Sequence, residues 1–239
     1  GNDLDNLGNA YADLGEVRRA IAYYEQALEI AREIGDRSGE GYRLGNLAQA
    51  LIDQGQYEAA IQHAQNCAGI GEQIQDPEIC QWGYGRLALA RLYSGELTAA
   101  GQAANAARQY DVPLFNAQVQ ALAGVVALRQ GNPAPAREAF ASALEHAEAL
   151  LARTPDLYDL LDAKGLALAG LALLASDTAE AEALVSQAVE AFRAARVACA
   201  AAGVVGRVLR LLDALAVADV EGRLQDIRAA AQGVGQVRA

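Results

Sequence analysis

The sequence predicts an all-α fold, an α-solenoid of about five stacked helix pairs followed by a C-terminal capping helix pair. Three observations carry that prediction. A ten-residue segment recurs along the chain at a nearly fixed pitch. Hydrophobic residues fill 53% of the 239 positions while aromatics fill only 5%, and an Ala-, Leu- and Gly-rich composition suits closely approaching helices better than a sheet core. Helix breakers followed by restart signals separate the recurring segments.

Taken in order, the first unit opens with Asn6-Leu7-Gly8-Asn9-Ala10-Tyr11-Ala12-Asp13-Leu14-Gly15. The second repeats it 40 residues on as Asn46-Leu47-Ala48-Gln49-Ala50-Leu51-Ile52-Asp53-Gln54-Gly55, and the third as Arg86-Leu87-Ala88-Leu89-Ala90-Arg91-Leu92-Tyr93-Ser94-Gly95. A fourth copy sits 36 residues further, with Gly124, Val125, Ala127 and Gly131 in register, then Ala136, Phe140 and Ala143 at the spacing of Ala20, Tyr24 and Ala27. A fifth, looser copy places Ala169, Ala172, Ser176, Ala181 and Ala188 at the same points. In each unit, small or apolar residues at helical spacing stop at a residue suited to a turn, a Gly in the first four copies, and a second helix resumes. The small residues Ala20, Ala60, Ala100, Ala136 and Ala181 admit a neighbouring helix where a larger side chain would hold it off. Junctions read at residues 35–41, 75–77, 111–113 and 153–156, where Gly, Asp and Pro end one helix and start the next. A lone unit cannot bury its apolar face, so the units must stack. The solenoid is expected over residues 1–203, with repeats at about 1–40, 41–80, 81–115, 116–155 and 156–203. Residues 204–239 are expected to cap it, Val204 to Val217 and Val220 to Ala231 forming a last helical pair.

Composition narrows the function. Net charge is −11, and residues 1–80 alone carry 14 acids against 5 arginines, which argues against nucleic acid as a partner because phosphate binding needs a basic stripe. The longest apolar run, Gly165 to Ser176, falls far short of the roughly 20 residues of a membrane span. Cys67, Cys80 and Cys199 are an odd number without C-x-x-C spacing, so neither a disulfide framework nor a metal site is expected, and a cytoplasmic location fits. His63 and His146 lie in different repeats. Cys67 stands four residues from His63, but no orienting group or oxyanion loop accompanies the pair. No catalytic residue and no cofactor is expected. The absence of methionine, with an opening that reads like a repeat junction, points to an excised piece of a longer chain, and eighteen arginines against the single Lys164 point to a GC-rich bacterial gene.

Leu7-Gly8-x-x-Tyr11, Gly15, Ala20, Tyr24 and Ala27 resemble the tetratricopeptide consensus, without its Trp and its Pro. The resemblance covers about residues 1–195. A 40-residue unit is similar to the longer repeats of kinesin light chains and of the C-terminal sensor arrays of bacterial signalling ATPases. It implies a right-handed superhelix with a concave groove lined by the first helix of each unit. It also implies a non-catalytic role in binding a protein or peptide segment, or a neighbouring domain of the same protein. By the same resemblance the groove residues are Asn2, Asp5, Asn6, Asn9 and Asp13, then Tyr42, Asn46, Gln49 and Asp53, then Trp82, Arg86, Leu89, Leu92 and Tyr93. The Asn and Gln side chains can hydrogen-bond an extended backbone of any sequence or simply solvate a helix. Trp82 can anchor a guest or pack between units. Asp5, Asp13 and Asp53 would favour a basic segment. Further along, Leu122, Val125, Leu128, Leu166, Gly170, Leu173 and Leu174 give a greasier lining that an inner helix, the chain's own or another domain's, would fit. The alternative is an assembly scaffold that self-associates through its terminal repeats. No G-x-x-x-x-G-K-[ST] phosphate loop occurs, so a nucleotide switch would lie on another part of the protein.

Overall fold

A computed structural model describes residues 2–233, and the side chains of residues 3–233. Every regular element among them is helical. The chain divides at Val112/Pro113 into two compact units. The first contains α1 (Asn2–Asp13), α2 (Val17–Ile34), α3 (Arg37–Asp53), α4 (Tyr57–Ile74), α5 (Pro77–Ser94) and α6 (Leu97–Ala107). Consecutive helices pack together, and the first helices also pack side by side, α1 on α3 and α3 on α5. This is the stack that the 40-residue pitch requires.

The turns inside the first four pairs close where glycine allows a left-handed backbone, at Gly15, Gly55, Gly95 and Gly131. Junctions restart by side-chain capping. The Asp36 carboxylate accepts from the Gly39 N–H at 2.8 Å, and Asp76 accepts from the N–H groups of Glu78 and Ile79 just ahead of Pro77, so backbone donors left open at each helix start are satisfied. The consensus small residues work as predicted from their spacing. Ala20, Ala60, Ala100 and Ala136 have no exposed surface. Gly8 lies against the Tyr24 ring so closely that a Cβ there would meet Cε1 at 2.4 Å, and sixteen residues separate Gly124 from Phe140 in the same relation, at 2.5 Å.

The second unit contains α7 (Pro113–Arg129), α8 (Pro133–Leu151), α9 (Tyr158–Leu174), α10 (Thr178–Ala198), α11 (Ala202–Ala216) and α12 (Leu224–Gln232). Phe140 and Phe192 are fully buried, the first wedged between Gly124 and Gly170, the second against Gly165. Truncating either ring to alanine removes a core filler worth about 3–5 kcal/mol. Gly170, read from sequence as part of a greasy lining, is therefore a seat for the Phe140 ring of α8. The final pair departs from the simple order of the array. α12 packs on α10, while α11 lies against both α7 and α9, burying Val204, Val208, Leu212 and Leu215 on one helical face. Residues 217–223, expected to lie largely in helix, form a connector instead. Gly222 takes a positive φ of 73°, and the Asp219 carboxylate accepts from the Arg223 and Leu224 N–H groups at 2.9 Å, so α12 starts only there. Arg223 then reaches back to α9 and its end, donating to the carbonyls of Ala172 and Ala175.

Candidate binding face of the first unit

A helix presents residues i, i+4, i+7 and i+11 on one face. In α3 those positions are Tyr42, Asn46, Gln49 and Asp53, all partly exposed, whereas ten other residues of the helix are buried. In α5 the same register gives Trp82, Arg86, Leu89 and Tyr93, again partly exposed between buried neighbours. In α1 it gives Asn6 and Asn9, exposed, and Asp13, partly exposed. Asn2, at the same register, lies outside the residues whose side chains are described. Because α1, α3 and α5 pack side by side, the three stripes form one face. Leu92 is buried and faces the core.

The side chains on this face are in good part held by one another. Asp5 pairs with Arg43 at 2.7 Å. Burial pushes the Asp5 carboxyl above the usual range, against the pull of Arg43. This acid is thus a tie between α1 and α3 rather than a free charge. The Asn9 side-chain oxygen accepts from the Tyr24 hydroxyl at 2.7 Å, and Gln49 donates to Asp53 at 2.7 Å. Burial and a hydrogen bond to Glu78 raise the Tyr42 phenol, which stays neutral. Trp82 packs on Gly45, where a Cβ would come within 2.1 Å of its Cδ1, and the Arg86 guanidinium lies over its ring, 4.1 Å from the centroid. That cation over a tryptophan face is a favourable pairing. Tyr93 packs against Tyr57 with centroids 6.2 Å apart. Among the described residues, Asn6 and Asn46 make no side-chain hydrogen bond to another side chain or backbone group.

The result is a floor of ring and amide surface with donors and acceptors between aromatic patches. Glu78 and Arg43, which lock Tyr42 and Asp5, were not among the groove positions taken from the resemblance. Arg43 lies 38 residues from Asp5, and only the stacking of α1 on α3 brings them together. In the second unit the corresponding stripe of α7 behaves differently. Leu122 and Val125 are 6% and 0% exposed, and α11 packs against α7 and α9. The chain's own α11 thus lies against the two helices that carry that lining, while Leu128, Leu173 and Leu174 stay partly exposed.

His63 and Cys67 share α4, but the Cys67 thiol is directed at the Ile79 carbonyl at 3.6 Å, and burial pushes it up to about 12. Burial lowers His63, which favours the neutral imidazole. No three His, Cys, Asp or Glu side chains among the described residues converge as a metal site would. No helix among them is long and apolar enough to cross a membrane.

Comparison with known proteins agrees with the repeat register. Residues 3–72 match the profile of the tetratricopeptide repeat family. The first two helix pairs are thus similar to tetratricopeptide repeats. Across its length the fold is similar to that of BtubC (BKLC) from P. vanneervenii, with a TM-score of 0.59, 16% identity, and coverage of 91% of this chain and 90% of that one. Weaker likenesses include the MamA protein (TM-score 0.46, 20% identity, 80% and 90% covered) and the TPR2AB-domain:pHSP90-complex of yeast Sti1 (TM-score 0.38, 19% identity, 96% and 97% covered). No curated protein sequence matches the chain. The fold is an all-α solenoid of stacked helix pairs.

Proposed function

We propose that this chain is a non-catalytic protein-binding module whose guest, an extended protein or peptide segment, lies across the stripes of α1, α3 and α5. The observation that supports this reading most directly is the register itself. Amides and aromatics fall at equivalent positions of three adjacent helices and stay partly exposed, while the other faces of α3 and α5 are largely buried. Asn46 offers both a donor and an acceptor, and the Trp82, Leu89 and Tyr93 surface offers the large, rigid contacts that dominate interfaces. The acids left on the face, Asp13 and Asp53, favour a guest of neutral or basic character. In this reading the module is the sensor or regulatory array of a larger bacterial signalling protein, and the guest is a neighbouring domain or a separate chain.

A photo-crosslinking amino acid placed at Asn46 or Leu89 tests the assignment, with exposed Gln62 of α4 as control. A polypeptide captured at the first two positions and not at Gln62 is the expected outcome, and Asn46→Ala with Leu89→Ala should weaken that capture by about tenfold or more. Equal capture at all three sites, or none at Asn46 and Leu89, would refute the face.

A further inference from the structure

The repeat register exposes a second surface, at the edge of α1. Leu7, Leu47 and Leu87 hold the same position at the 40-residue pitch. Leu47 and Leu87 are 2% and 6% exposed, but Leu7 is 43% exposed. Position 10 behaves alike, since Ala50 and Ala90 are buried and Ala10 is exposed, and Leu14, 58% exposed, extends the apolar strip of α1 by one further turn. Residues 3, 7, 10 and 14 follow helical spacing, so α1 carries a continuous strip of this kind.

What covers the equivalent strips is known from the fold itself. Leu47 is buried in one cluster with Tyr24 and Leu28 of α2. Between α4 and α5, a Cβ on Gly83 would meet the Ala68 backbone nitrogen at 2.4 Å, and one on Gly71 would meet the Cys80 backbone nitrogen at 2.6 Å. The same interface, a second helix received by the next first helix, therefore occurs twice in this unit, and α1 presents its receiving half a third time. Charge adds a specification. Arg43 of α3 lies 3.6 Å from Asp36, the N-cap of α3 in the junction that follows α2, as well as 2.7 Å from Asp5 of α1. Forty residues earlier the Arg43 position is held by exposed Asp3, so the sign of the receiving group is reversed.

We propose that the Asp3, Leu7, Ala10 and Leu14 strip of α1 is an interaction surface for an amphipathic helix of the α2 and α4 type. Its docking face is small and apolar, and a cation at its C-terminal end faces Asp3. This surface is separate from the stripe assigned to the extended guest.

The full chain can be tested by fusing a probe helix ahead of it. The probe is the sequence of Tyr57–Gln75 followed by an arginine, joined through a flexible glycine-serine linker. Hydrogen exchange is then read at the amides of residues 3–13. The expected result is protection raised about tenfold or more, with Leu7→Glu abolishing the gain in the fusion while leaving the unfused chain nearly unchanged. Replacing the arginine by aspartate should reduce the gain. Unchanged protection in the fusion overturns the proposal, as does a gain that survives Leu7→Glu. Concentration-dependent dimerisation of the unfused chain that Leu7→Glu removes would assign the strip to a second copy instead, and would also overturn it.

Discussion

Two neighbouring junctions end their helices in the same left-handed turn but with different residues. Gly35 does so at φ 71°, and Gln75, forty residues later, at φ 56°. A side chain in that region carries a steric penalty that glycine avoids. Gln75→Gly should therefore raise stability by about 1 kcal/mol, read as an increased urea midpoint at unchanged slope. Glu40 makes a different single-residue case. Burial opposes ionisation of its carboxyl, but hydrogen bonds from Arg32 at 2.9 Å and Arg37 at 2.5 Å outweigh that and hold it below the usual carboxylate range. A carboxyl depressed in the folded state adds stability above its unfolded pKa and loses it as pH falls through the folded one. Glu40→Gln should therefore flatten the acid limb of a stability–pH curve, seen in urea titrations between neutral pH and about pH 3.

At the scale of elements, α9 and α10 are joined by an ion pair closed off from water. Arg196 donates to both Asp162 oxygens at 2.5 Å, and the side chains are 0% and 9% exposed. Burial pushes the Asp162 carboxyl up while Arg196 pulls it down. Such a pair contributes little as a pair, because desolvation offsets the attraction, but removing one member leaves a buried charge unmatched. Arg196→Met should destabilise the chain by about 3–5 kcal/mol. The loss should be larger at pH 8 than at pH 5, because the orphaned acid folds most readily when protonated. Adding Asp162→Asn should restore part of it, and a double variant no more stable than the single one would count against this account. Calorimetry of the three proteins at both pH values decides.

Across the molecule, the helices were legible because they depend on period alone, whereas the stripe on α3 and α5 came from the tetratricopeptide resemblance laid on that period. Gly15, Gly55 and Gly95 fix the turns, and the resemblance implies Tyr42, Asn46, Gln49 and Asp53 once the repeat is in register. Partnerships between units of sequence were not legible. Periodicity places Asp5 and Arg43 on helices without stating that those helices touch, and it gives α11 an apolar face at Val204, Val208, Leu212 and Leu215 without stating which wall receives it. Local signals also failed at 217–223. Val217 and Val220 are apolar and read as helix, yet both are exposed, at 73% and 94%, because the Asp219 side chain restarts the backbone further on. The wall of α7 and α9 consequently has a resident rival. Any foreign helix seeking it competes with a segment tethered to the same unit, whose effective concentration is on the order of millimolar. Guests weaker than that threshold are turned away from this wall without any dedicated gate.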